Sequence, residues 1–92
     1  MKSNNKQNPG HNPRLKATII EAVSNQLRAN DPPETKQTLD RLVSEGFSVE
    51  DAKIYIGQAL CVEIWDALHN KKPYNRERYI KNLERLPEEP TE

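Results

Sequence analysis

The chain has 92 residues, a formal net charge of zero, 34% hydrophobic residues and 30% charged residues. This length predicts one domain with a small core. The chain contains no run of about 18 apolar residues, so we expect no membrane-spanning segment and no membrane partner. A neutral chain also disfavours a dedicated nucleic-acid-binding domain, which usually carries a strong basic excess.

Two further features favour a cytoplasmic protein. The basic N-terminal residues are not followed by the apolar stretch that a secretory signal requires. The single cysteine, Cys61, cannot form an internal disulfide bond. We therefore expect the protein to be located in the cytoplasm.

Charge is distributed in blocks along the chain. Residues 1–30 contain five basic residues and one acidic residue. Residues 31–70 contain three basic residues and eight acidic residues. Residues 71–83 contain five basic residues and one acidic residue. Residues 84–92 contain one basic residue and four acidic residues. We expect these blocks to pair in the fold, with basic N- and C-terminal helices beside an acidic centre.

The N-terminal part predicts a tail followed by one amphipathic helix. Residues 1–11 are rich in Asn, Lys and Gln, which is typical of a disordered segment. Asn12 and Pro13 form an N-cap followed by proline in the first helical position. Apolar residues then recur at every fourth position and predict a helix over residues 13–29. They are Leu15, Ile19, Val23 and Leu27.

A second helix is predicted over residues 32–45. Asp31 is expected to cap it, with Pro32 in the first turn and Glu34 completing a capping box. Gly46 supplies the left-handed residue that commonly ends a helix. The expected buried stripe consists of Leu39, Leu42 and Val43.

The third helix is predicted over residues 49–70 as the centre of the domain. Ser48 is its expected N-cap, and Phe47 is placed to pack against Ala52. Apolar residues occupy two sides of this helix, which predicts neighbours on both sides. One side holds Ala52, Tyr55, Ile56, Ala59 and Leu60, and the other holds Ile54, Cys61, Trp65 and Leu68, with Ile64 between them. Gly57 is expected to allow the close approach of a neighbouring helix.

A fourth helix is predicted over residues 76–86, with Asn75 as its N-cap. Its inward positions are Tyr79, Ile80, Leu83 and Leu86. Residues 88–92 are expected to form a disordered C-terminal tail. No segment alternates with a period of two, so we predict an all-α bundle of four helices in a single domain over residues 12–87.

The chain offers no recognisable catalytic, metal-binding or cofactor-binding constellation. His11 and His69 lie far apart in the sequence, and neither has a second ligand at metal spacing. Cys61 has no histidine at helical spacing that could act as its base, which favours a structural role.

Acidic residues form two pairs, Glu50 with Asp51 and Glu63 with Asp66. The second pair could share a cation or a basic partner, since its members are three residues apart on one helix face. Capping and solvation are the expected roles of both pairs.

A set of short motifs spans residues 12–87. In chain order they are Asn12-Pro13-Arg14-Leu15, Val23, Asn25-Gln26-Leu27, Asp31-Pro32-Pro33-Glu34, Gly46-Phe47, Gly57, Glu63-Ile64-Trp65, Leu68-His69, Pro73-Tyr74, Tyr79 and Leu86-Pro87. As a set they resemble a widespread bacterial family of the "domain of unknown function" kind. The resemblance implies a compact helical domain without an established activity.

Histidine pairs of the HxxxH type belong to that family's pattern on the first and third helices. The corresponding positions here hold Lys16 and Ile20, then Glu50 and Ile54. Any metal-dependent role that the family implies therefore lacks its ligands in this chain.

A weaker resemblance concerns ubiquitin-associated domains. It is carried by Leu42-Val43, Gly46-Phe47, Ala52 and Ile56. Such short motifs are also common in helical hairpins.

Three functions stay open at this level. The first is a non-catalytic module that binds another protein or itself through the third and fourth helices. The second is a degenerate relative of a metal-dependent helical enzyme, and the third is weak nucleic-acid binding. The expected interaction residues are Trp65, Lys71, Lys72, Tyr74, Arg76, Arg78 and Lys81. The third helix has more apolar surface than three short neighbours cover, which favours a weak homodimer.

We predict that the protein binds no transition metal in a structural or catalytic site, because such sites need three or four ligands on rigid elements. Untagged protein should contain no stoichiometric metal by elemental analysis. Its melting temperature should be unchanged by a chelator, since a ligand bound only to the native state would raise it. One equivalent of zinc surviving gel filtration would contradict this prediction.

Overall fold

The computed structural model describes residues 13–91 and has four helices. They are α1 (Pro13–Ala29), α2 (Pro33–Ser44), α3 (Val49–Asn70) and α4 (Arg76–Arg85). The described residues contain no strand, and α3 packs against all three other helices. The predicted all-α bundle and the central position of its third helix are therefore confirmed. The expected N-terminal tail and the Asn12 cap lie outside the described residues.

Helices α1 and α3 approach each other closely at Gly57. A Cβ atom added to Gly57 would lie 2.9 Å from Cγ2 of Ile19. Lys53 donates a hydrogen bond to Ser24 at 3.4 Å, so the residue pairs 19–57 and 24–53 show that the two helices run antiparallel. The close helix approach predicted for Gly57 is confirmed, and it accounts for a glycine in a helix interior.

Local signals set most helix ends correctly. Ser48 accepts a hydrogen bond from the Asp51 amide, and Asn75 accepts one from the Arg78 amide, so both predicted N-caps are confirmed. Gly46 has a φ of +109°, the left-handed conformation expected where the chain leaves α2.

The predicted start of α2 is wrong by one residue. Pro32, rather than Asp31, is the N-cap, and no side chain caps this helix. The peptide bond between Asp31 and Pro32 is cis. The expected burial of Val43 is also wrong, because its side chain is 39% exposed while Leu42 is fully buried.

The core lies between α3 and the inward faces of the other helices. Its members are Val23, Leu42, Ala52, Ile56, Ala59, Leu60, Tyr79, Leu83 and Leu86. A partly buried polar network borders it: the side-chain oxygen of Gln26 accepts hydrogen bonds from Tyr79 and Thr35, both at 2.8 Å. This network ties α1, α2 and α4 together.

The residues after α4 fold back against it. The side chain of Asn82 donates to the carbonyl of Thr91 at 2.7 Å and accepts from the Thr91 amide at 3.1 Å. Asn82 is itself buried, so this pair of bonds satisfies a polar side chain within the fold. The disordered tail predicted from residue 88 does not include this contact between Thr91 and Asn82.

We predict that the buried Tyr79 makes the protein lose stability at alkaline pH. Burial raises the pKa of Tyr79 to about 12, from the ordinary value of about 10. Between these values the unfolded chain releases the phenol proton and the folded chain retains it, so stability falls as pH rises through this window. The loss should approach about 2–3 kcal/mol at its upper end.

Tyr79→Phe is the matched variant for this prediction. It should cost about 1 kcal/mol at pH 7 through the lost hydrogen bond to Gln26. Denaturant titrations at pH 7, 10 and 11 should then show a smaller decline than in the wild type. An equal decline in both proteins would mean that other groups cause the alkaline loss.

Candidate functional site

One apolar side of α3 is left largely uncovered. Trp65 is 47% exposed and Leu68 is 68% exposed, while Ile54 and Cys61 are half-buried. The expectation that neighbours bury both apolar sides of this helix is therefore wrong for the side that holds these four residues. The Trp65 ring stacks on that of His69 with a centroid separation of 4.2 Å, which steadies the indole without covering it.

This side of α3 continues into a groove beside α1. The groove has a volume of about 590 Å³, and residues 89–90 form part of its border. Ile19 and Ile20 line it from α1, and Ile54, Cys61 and Val62 line it from α3. Burial raises the pKa of the Cys61 thiol, which keeps it protonated and unreactive at neutral pH.

The opposite side of α3 holds a buried ion-pair cluster. The Glu63 carboxylate is 3% exposed and accepts two hydrogen bonds from the Arg78 guanidinium, at 2.7 and 2.9 Å. Glu63 also accepts the backbone N–H of Asn75 at 2.9 Å, and Asp66 accepts from Arg78 at 3.0 Å. The expectation that Glu63 and Asp66 are simply solvated is thus wrong. The alternative, that the two carboxylates share a basic partner, is confirmed.

The cluster shifts the pKa values of Asp66 and Arg78. Hydrogen bonds from Asn70 and then Arg78 lower the pKa of Asp66. Hydrogen bonds to Glu63 and Asp66 raise the pKa of Arg78, so its cation is retained at every physiological pH. Because its groups bind one another, the cluster positions α4 on α3.

The structure places the predicted basic residues in different environments. Arg78 is committed to the ion-pair cluster. Arg76 lies 3.6 Å from Asp31 and 3.9 Å from Glu34, and Lys81 lies 3.9 Å from Glu77. The expected pairing of charge blocks is therefore confirmed for residues 71–83 with residues 31–70.

The remaining predicted interaction residues lie near the C-terminal end of α3. Lys71 has a φ of 56° and ends that helix, and Lys72 follows it on the surface. Tyr74 is 46% exposed, with its ring 5.9 Å from that of Tyr79. Trp65, Lys71 and Lys72 thus lie on or just beyond one end of α3.

Nothing in residues 13–91 brings three His, Cys, Asp or Glu side chains together as a metal-binding group. His11 lies outside this range. Three of the four positions at which the resemblance would place histidines line the groove. They hold Lys16, Ile20 and Ile54.

Comparison with known proteins gives no family for the chain. No family model, curated protein or solved structure matches it. Within residues 13–91, none of the helices combines the length and apolar character needed to cross a membrane.

We predict that Arg78 is needed chiefly to neutralise the buried Glu63. Arg78→Met should cost about 3–5 kcal/mol, because it leaves a carboxylate in the interior without its cation. In a Glu63→Gln background the same substitution should cost at least about 1 kcal/mol less, since the remaining amide is neutral. Denaturant unfolding of the four proteins measures this coupling, and equal costs in both backgrounds would contradict it.

Proposed function

We propose that this chain is a non-catalytic protein-interaction module that binds through the exposed side of α3. This surface, the α3 face, consists of Ile54, Gln58, Cys61, Trp65 and Leu68. The exposure of Trp65 and Leu68 carries the proposal. Tryptophan is enriched among residues that dominate binding energy, and a contiguous exposed apolar surface is typical of an interaction site.

The spacing of the α3 face favours a helical partner. Its residues follow one another at intervals of four, three, four and three positions. This repeat of 3.5 residues is the one with which two helices pack side by side along a continuous stripe. The apolar groove beside α1 extends the stripe and gives a partner helix a second wall.

Two alternatives receive less support. Nucleic-acid binding needs free cations, whereas Arg78 is bound to Glu63 and Asp66, and Arg76 lies near Asp31 and Glu34. A metal-dependent activity has no cluster of ligands in residues 13–91 to support it. The family resemblance and the cytoplasmic location stay predictions.

Site-specific photo-crosslinking in the native host tests the proposal. A benzophenone amino acid replaces Trp65 in one variant and Gln37, an exposed residue of α2, in the control. We expect a protein adduct from position 65 that is several-fold more abundant than any from position 37. Adding Leu68→Glu should reduce the adduct, since it puts a charge on the apolar stripe.

The identity of the captured protein does not decide this test. An adduct to another copy of the chain or to a different protein supports an interaction module. Equal adducts from both positions, or none from position 65, would contradict it. Circular dichroism of each purified variant confirms that the helices are retained.

A further inference from the structure

We infer that the partner on the α3 face is a second copy of this chain, with the two α3 helices antiparallel. This inference rests on the proposed function and adds the identity of the partner. The two ends of α3 carry opposite charges. Glu50 and Asp51 are exposed in its first turn, and Lys71 and Lys72 are exposed just after its last residue. Between these ends the α3 face has no charged residue.

This charge pattern is complementary to itself when reversed. An antiparallel pair places the acidic start of one α3 against the basic end of the other, at both ends of the contact. A parallel pair would place like charges together, which is destabilising. The helix dipoles also oppose each other in the antiparallel arrangement, so the negative C-terminus of each helix lies near the positive N-terminus of its partner.

The positions on α3 are symmetric about Cys61. Glu50 and Lys72 are each eleven residues from Cys61, and Ile54 and Leu68 are each seven. A two-fold axis near Cys61 therefore brings Ile54 of one copy to Leu68 of the other while the oppositely charged ends meet. Self-complementarity of this kind is what a two-fold dimer interface requires.

The first twelve residues are a poorer occupant of the same surface. Apart from Pro9, their only apolar side chain is Met1, so they offer little to bury Trp65 and Leu68. They also contain two lysines and no acidic residue, and so cannot pair with the basic end of α3.

The first experiment measures mass and contact on purified full-length protein. Sedimentation equilibrium should show a monomer–dimer equilibrium at micromolar to millimolar concentration. A carbodiimide, which joins a carboxylate to an amine in direct contact, should link Glu50 or Asp51 to Lys71 or Lys72. Within one chain these groups lie at opposite ends of a 22-residue helix, about 30 Å apart at 1.5 Å per residue, so the link joins two copies.

The second experiment exchanges the terminal charges. Glu50→Lys and Lys72→Glu, made singly, should each weaken dimerisation about tenfold, since the two-fold axis repeats each repulsive contact. The double variant should return the dissociation constant to within about threefold of the wild type. Lys36→Glu, on the exposed surface of α2, is the matched control and should leave it unchanged. Melting temperatures separate losses of helix stability from losses of association.

Each outcome has a defined meaning. A concentration-dependent dimer with the carbodiimide link and charge-exchange rescue supports the inference. A dimer without the link, or without rescue, overturns the antiparallel arrangement. A monomer at millimolar concentration overturns the inference altogether. In that case, a photo-adduct from position 65 to a different protein would leave the proposed function standing, and no adduct would remove both.

Discussion

The docking of α4 on α3 depends on the buried pairing of Glu63 with Arg78. A carboxylate with 3% exposure is costly unless a cation and hydrogen-bond donors surround it, and both come from α4 and the turn before it. This requirement directs α4 to the Glu63 side of α3. Trp65 and Leu68 lie on the other side of α3, where α4 does not pack against them, and both are exposed.

The remaining sides of α3 are constrained by shape rather than charge. Gly57 lets Ile19 approach so closely that no side chain fits between the helices, which places α1 against that side. The network at Gln26 then connects α1 to α2 and α4 through Thr35 and Tyr79. With these helices in place, the uncovered strip of α3 is bordered by α1 and by the folded C-terminal residues.

This arrangement separates the stabilising groups from the groups available for binding. Glu63, Asp66 and Arg78 bind one another and hold the fold. The α3 face is apolar apart from Gln58, and charged residues flank it only at its ends. The proposed association with a matching helix rests on this apolar strip with opposite charges at its ends. The self-complementary order of those charges is the reason for proposing a second copy as that partner.

The sequence by itself determined the four helices and most of their boundaries. It also indicated that a neighbouring helix approaches α3 closely at Gly57. Caps such as Ser48 and Asn75 bond to amides three residues away, so neighbouring residues are enough to place them. Only the tertiary structure decided that Glu63 pairs with Arg78, fifteen residues on, and that Trp65 is exposed. The burial of Tyr79, by contrast, agrees with the inward position that the pattern of its helix predicts. Both aromatic residues lie on apolar helix faces. Which face is covered depends on how helices distant in sequence pack together, because the pattern of one helix specifies that a face is apolar but not which neighbour reaches it.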